Sequence, residues 1–211
     1  LARLDKRLAL TTALKFLPVS RGGPWPLEAV RDHGVRKGGS EKANKENVHY
    51  HYDLSNAFYA LFLDPEMVYT CAYFTDWSHD IARAQYDKLE MICRKLRLKP
   101  GARFPDSGCG WGGIVCHAAQ HHGVTAHGVS LSNEQLAFAR AKVARLGLQD
   151  RVTLEYQDYT KMTGQYDKIA SIGMYEAIGL QNIPRYMQTV RGLLAEDGLF
   201  LNHAIARRAK R

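Results

Sequence analysis

Residues able to hold a small ligand are most concentrated in the run DSGCGWGG, from Asp106 to Gly113. Its glycines lie between a short predicted strand (Arg103–Ser107) and an apolar helical run that begins at Ile114. Such a turn lets a ligand approach the backbone closely and aims the free N–H groups of the helix start at it. A dinucleotide site would want a carboxylate at the tip of the second strand, but that tip reads Val129-Ser130-Leu131-Ser132 and the first acid, Glu134, lies inside the next helix. The glycines are spaced GxGxGG rather than GxGxxG, and no GK[ST] ending marks a phosphate loop. What remains is a cradle for a small adenosyl ligand without a pyrophosphate. Away from the turn, Glu176 follows a predicted central strand, at the carboxyl edge where doubly wound folds bind ligands. Cys71 sits in the aromatic run VYTCAYF, where a thiol is either packed or reactive. His117 and His121 stand one helical turn apart with His122 adjacent, a metal-binding pattern, but no carboxylate or Cys is obviously placed to complete it, so no metal is expected.

The elements that must position these groups alternate. Helix Ile114–His122 leads to strand Val124–Val129, then to helix Asn133–Leu146 with Ser132 as its N-cap. Strands Val152–Tyr156 and Tyr166–Ile172, helix Ile183–Leu194 and strand Gly198–Ala204 follow. Strands and helices alternating at this spacing predict an α/β fold, a mostly parallel Rossmann-like sheet with helices on both faces. Upstream, the spacing of Tyr50, Leu54, Phe58, Leu61 and Phe62 predicts one apolar face of a helix from Asn47 to Leu63, ended by Pro65. A second helix is expected over Ile81–Leu98. Residues 1–17 read as an amphipathic helix stopped by Pro18, and the Gly/Pro-rich stretch 21–40 as linker. Three regions result: a basic extension and linker (1–46), a helical segment whose apolar face is core or substrate-cavity wall (47–98) and the ligand-binding core (99–211).

Composition bounds the rest. A hydrophobic share of 45% with 24% charged residues is that of a globular protein. No run approaches the roughly 18 apolar residues of a spanning helix. Near the N-terminus Lys15 interrupts the apolar stretch and no small-residue cleavage site is clear, so it is not read as a secretory signal. Four cysteines without a CxxC pair fit free thiols in a reducing compartment. Of the net charge of +8, residues 1–50 hold ten Lys/Arg against five Asp/Glu, an excess suited to an acidic surface or to plain solvation.

DSGCGWGG resembles the D-x-GCGWGG turn of the cyclopropane-fatty-acid synthases and mycolic-acid cyclopropane synthases, class I S-adenosylmethionine-dependent methyltransferases. HYDLSNAFYALFLDPEMVYTCAYF (His51–Phe74), GVSLSNEQ (Gly128–Gln135), SIGMYEAIG (Ser171–Gly179) and LNHAI (Leu201–Ile205) also match that family, in its order and roughly its spacing. Plant benzylisoquinoline N-methyltransferases share much of the pattern. The resemblance implies cofactor contacts from Tyr69 and Thr70 beside the methionine end and from Asp106, Gly108, Gly110 and Trp111 on the turn. It places Ser130, Leu131 and Gln135 at the ribose and adenine, and Gln157 and Asp158 at the adenine edge. Asp158 has a second, less favoured reading as a loop carboxylate capping the next turn.

The implied reaction is methylene transfer to the cis double bond of an unsaturated phospholipid acyl chain. Methyl transfer to an alkene leaves a carbocation, which must be kept from water and lose a proton, so the site wants an apolar tunnel, π-rich groups and a base. The resemblance implies bicarbonate as that base, held by Cys71, Glu176 and His203, with Ile205 offering a backbone position. It leads to a protein in the cytoplasm, peripheral to the anionic inner face of the membrane, with no nucleic-acid partner; a homodimer is left open. A small-molecule N- or C-methyltransferase and an inactive adenosyl- or lipid-binding domain are the alternatives. Three departures stand out. Pro105 and Ser107 replace aliphatic residues in the first strand, where proline loses a ladder hydrogen bond. Ala177 stands where many members have His. The chain stops after the fifth strand of a sheet that has seven in the family, short of an edge hairpin that carries the family's tyrosine for this site.

Overall fold

The computed structural model describes residues 55–205; the expectations for residues 1–54, and for the basic end beyond Ile205, lie outside these. The described chain runs α1 (Asn56–Tyr59), α2 (Ile81–Lys95), β1 (Arg103–Asp106), α3 (Gly113–His122), β2 (Thr125–Ser130), α4 (Asn133–Arg145), β3 (Val152–Tyr156), β4 (Tyr166–Ile172), α5 (Tyr175–Ile178), α6 (Ile183–Leu193) and β5 (Leu194–His203). The strands form one sheet in the order β3-β2-β1-β4-β5, every pair parallel. Strand order reverses at β1, so the crevice beyond the ends of β1 and β4 is the switch point where such sheets bind ligands.

Two apolar clusters sandwich the sheet. One joins Leu89, Ile92 and Leu96 of α2 to Ile114, Val115 and Ala118 of α3, with Phe104 and Leu136. The other gathers Tyr186, Val190 and Leu193 of α6 under Val129 and Ile169. The predicted core elements form within a few residues of their expected ends, and the Ser132 hydroxyl caps α4 by accepting from the Gln135 N–H at 3.3 Å. The expected helix over Asn47–Leu63 differs in its described part. Only one turn forms, capped by Ser55. Its buried residue is Tyr59, drawn against the Trp111 ring at 4.9 Å, whereas Phe58, Leu61 and Phe62 of the expected apolar face are exposed.

Pro105 is accommodated by where its missing N–H would point. The Arg103 N–H bonds the Asp167 carboxylate at 2.8 Å and the Ser107 N–H bonds the Ala170 carbonyl at 3.3 Å, so alternation aims position 105 toward β4 as well. The β1–β2 ladder keeps four register pairs, while β1–β4 keeps the single pair Asp106 with Ala170. The lost ladder bond falls wholly on that seam. Ser107 is buried beside it, facing the hydroxyls of Ser171 and Tyr186, none of them in good hydrogen-bond geometry. Burial pushes the Tyr186 phenol up to about 12.

Candidate active site

The site segment Val68–Cys71 has no regular secondary structure and is held from two helices. Buried Asp64 accepts the N–H groups of Glu66 and Val68, at 3.0 and 2.8 Å. Gln85 on α2 donates to the carbonyls of Val68 and Thr70, at 3.1 and 2.8 Å. Lys142 on α4 pairs with Glu66. One turn further along α2, Lys88 donates its ammonium to the Thr70 hydroxyl. Lys88 is fully buried, and burial lowers it from the ordinary 10.5 to about 8 despite the attraction of Asp64, Cys71 and Asp106. This lysine was absent from the sequence reading. Its signal was the spacing Ala84–Lys88–Ile92, which puts an ammonium on the buried face of an amphipathic helix.

The glycine turn forms as its composition predicts. Gly110 and Gly112 take positive φ, 52° and 82°, a region L side chains rarely enter, and Gly112 is the N-cap of α3. A Cβ at Gly110 would meet nothing within 4 Å, so the turn is open on that side. At its start Asp106 is 2% exposed. Burial raises its carboxyl to about 7, although the Gly108 N–H at 3.3 Å and the Lys88 charge pull the other way. Trp111 donates its indole N–H to the Asn56 side chain at 2.7 Å and meets Tyr59 and Tyr69 ring to ring, which walls the turn with aromatic faces.

At the end of β2 the Ser130 hydroxyl donates to the Gln135 side chain at 2.9 Å and accepts the Ser132 N–H at 3.1 Å, with Leu131 between them half-buried. Gln157 follows β3, its N–H on the Ser130 carbonyl at 3.2 Å. Asp158 is buried and accepts the Thr160 N–H and hydroxyl at 2.8 and 2.6 Å, so it does cap the next turn.

On the other side of the switch point, Thr70 lies against Gly173, where an added Cβ would come within 2.5 Å of the threonine methyl. The Gly173 N–H bonds the His203 carbonyl at 2.9 Å. Glu176, exposed on the short helix α5, accepts the Ile205 N–H at 2.6 Å, which ties the ends of β4 and β5 together. Burial, then the Lys88 charge, lowers the His203 imidazole, and its Nδ1 is buried without a partner. Cys71 is exposed and free. Lys88 thus lies within electrostatic reach of Cys71, Asp106 and His203, and Glu176 within reach of His203. The sequence-derived residues fall into two groups, one along the carboxyl ends of β1–β3 and one at β4–β5, and Lys88 is charge-coupled to both.

A parallel sheet of this order with a glycine turn at its switch point is common to dinucleotide-binding and class I methyltransferase folds; the end of β2 lacks the acid of the first, and the fold matches the second. The profile described as "Mycolic acid cyclopropane synthetase" matches residues 39–211, and the chain belongs to that family. It is 42% identical over 172 residues to a "Probable fatty acid methyltransferase" of Pseudomonas putida, covering 81% of this chain and 44% of that protein. It is 43% identical over 155 residues to the cyclopropane-fatty-acyl-phospholipid synthase of Escherichia coli K12, covering 74% and 39%. The fold superposes on the mycolic acid cyclopropane synthase CmaA1, solved in complex with SAH and CTAB, with a TM-score of 0.72 at 33% identity, covering 75% of this chain and 55% of that one. The chain spans about two fifths of the length of these curated relatives.

Proposed function

We propose that this domain transfers a methylene unit from S-adenosylmethionine to the cis double bond of an unsaturated phospholipid acyl chain. The observation that carries the reading is the meeting of the Asp106 glycine turn and the Thr70–Glu176–His203 group at one switch point. The names of its relatives support it: a probable fatty acid methyltransferase and a cyclopropane-fatty-acyl-phospholipid synthase.

The residues present fit the cofactor. The buried Asp106 carboxyl, held near 7, is suited to an ammonium such as that of the methionine moiety, and the open side of Gly110 leaves room beside the backbone. Tyr69 and Thr70 would flank the methionine end, Gly108 and Trp111 the turn, and Ser130, Leu131, Gln135, Gln157 and Asp158 the adenosyl end. S-adenosylmethionine supplies a methyl group on a sulfonium, and bicarbonate would supply a base for the proton that ring closure releases. Cys71, Glu176 and His203 would hold that anion: the His203 Nδ1 lacks a partner, and Lys88 sets a positive charge nearby. Tyr69, half-exposed and packed edge-on against the buried Tyr59 and Trp111 rings, would offer a π face to a cationic substrate carbon. The basic stretch 1–50 would draw the domain to an anionic membrane surface from the cytoplasmic side.

Incubation with unsaturated phospholipid vesicles and methyl-labelled S-adenosylmethionine, followed by fatty-acid analysis, tests this. Label in a cyclopropane or methyl-branched acyl chain is expected. Label only in added amines would favour a small-molecule methyltransferase, and no binding of S-adenosylhomocysteine would favour an inactive domain. Glu176→Gln is expected to lower alkene methylation by about 100-fold or more while S-adenosylhomocysteine still binds. Full activity in that variant would remove Glu176 from the base site.

A further inference from the structure

Behind the cofactor turn, helices α2 and α3 bring together a set of side chains with the chemistry of a metal centre. Cys93 on α2 and His117 and His122 on α3 present ligand atoms that all lie within 4.8 Å of one another. The sequence showed the histidines without a completing ligand; helix packing supplies Cys93 and, one turn before it, Glu90. The Glu90 Oε2 lies 3.0 Å from the His122 Nε2 and 3.4 Å from the His117 Nε2. Those spacings are close to the roughly 3.3 Å that separates two ligand atoms about 2.0–2.1 Å from a tetrahedral zinc. The other carboxylate oxygen is held by Arg94 at 2.8 Å, so Glu90 is oriented with one oxygen facing the histidines.

We propose that Cys93, His117, His122 and Glu90 form a structural zinc site that clamps α2 to α3. A thiolate and a carboxylate balance the charge of a divalent ion, and two imidazoles complete four-coordination with nitrogen and sulfur donors of the type zinc prefers. Cys93 is fully buried and His117 nearly so, while His122 and Glu90 are partly exposed at the rim, and four protein ligands leave no open position, as in a structural rather than a catalytic site. Its place in the fold gives it a consequence. α2 carries Gln85 and Lys88, which hold Thr70, and α3 starts at the glycine turn, so an ion joining the two helices would brace both halves of the cofactor site from behind.

The test is a cobalt titration of the chelator-treated, reduced protein. One equivalent of Co²⁺ is expected to give intense four-coordinate visible bands and a near-ultraviolet thiolate charge-transfer band, both displaced by one equivalent of Zn²⁺. Cys93→Ser should lose the charge-transfer band. His122→Gln, a change at a partly exposed side chain that leaves the far-ultraviolet dichroism intact, should weaken binding at least about tenfold. Zinc should also raise the unfolding midpoint of the wild type but not of His122→Gln. A weak six-coordinate cobalt spectrum, or a thiolate band that persists unchanged in both variants, would overturn the proposal.

Discussion

Replacing Lys88 by methionine separates what this residue does for the site from what it costs the fold. The ammonium is fully buried, accepted by the Thr70 hydroxyl and lowered from 10.5 to about 8. At about 1.4 kcal/mol per tenfold, that difference is a burial penalty of about 3 kcal/mol on the charged form. The sign follows from proton counting. Below pH 8 native and unfolded chains both carry the proton, and the native state bears the whole penalty. Between pH 8 and 10.5 the native state releases the proton while the unfolded chain keeps it, so wild-type stability climbs. Methionine fills a similar volume without charge. The burial penalty is already net of the attraction to Asp64 and Asp106, but methionine also forfeits the hydrogen bond to Thr70, so the net gain at pH 7 is about 1–2 kcal/mol. Urea unfolding at pH 7 and pH 9.5 measures it: Lys88→Met should be the more stable protein at pH 7 and should lack the climb. Methyl transfer should fall about tenfold, the worth of one charge-assisted hydrogen bond on Thr70. A variant that is less stable at pH 7, or keeps the wild-type climb, refutes the reasoning.

Two more perturbations address the first strand. Asp106, raised to about 7, must be ionised to pair with a ligand ammonium, so S-adenosylhomocysteine affinity should fall by up to tenfold per pH unit below 7. Calorimetry at pH 5.5 and 7.5 reads that slope, which Asp106→Asn should flatten. Without ligand the same raised carboxyl makes stability decline as pH rises from about 4 to 7, since only the native state then holds the proton. Ser107→Val removes a buried hydroxyl that lacks good hydrogen-bond geometry. It should stabilise the fold by about 1 kcal/mol, a rise of about 2–4 °C in scanning calorimetry, and a lower midpoint would show that the hydroxyl is satisfied after all.

The sheet and its ligand turn were legible because both are local. Four glycines between a strand and a helix, Ser132 before an apolar run and regular alternation each carry their structure within about ten residues. Contacts between elements were not. Lys88 looks like any helix lysine until Asp64, Thr70 and Asp106 are set around it. Tyr59 displaced the expected face of its helix because Trp111, far along the chain, offered a ring to pack on. Cys93 and Glu90 could not be joined to His117 and His122 without the packing of α2 on α3. The turn-capping role of Asp158 became visible only with Thr160 placed on its carboxylate.

The proline seam leaves the sheet in two parts joined by thin backbone pairing. β3, β2 and β1 are laced by continuous ladders, while β4 and β5 form their own pair, with His203 at the end of β5 and Glu176 on α5 just past β4. Between them the backbone offers one register pair, at Asp106 and Ala170. The two halves can therefore exchange their amide protons with different opening energies. On the proposed reading, a cofactor held by Asp106 on one side and beside the Thr70–Gly173 contact on the other would bridge a seam that backbone pairing leaves thin.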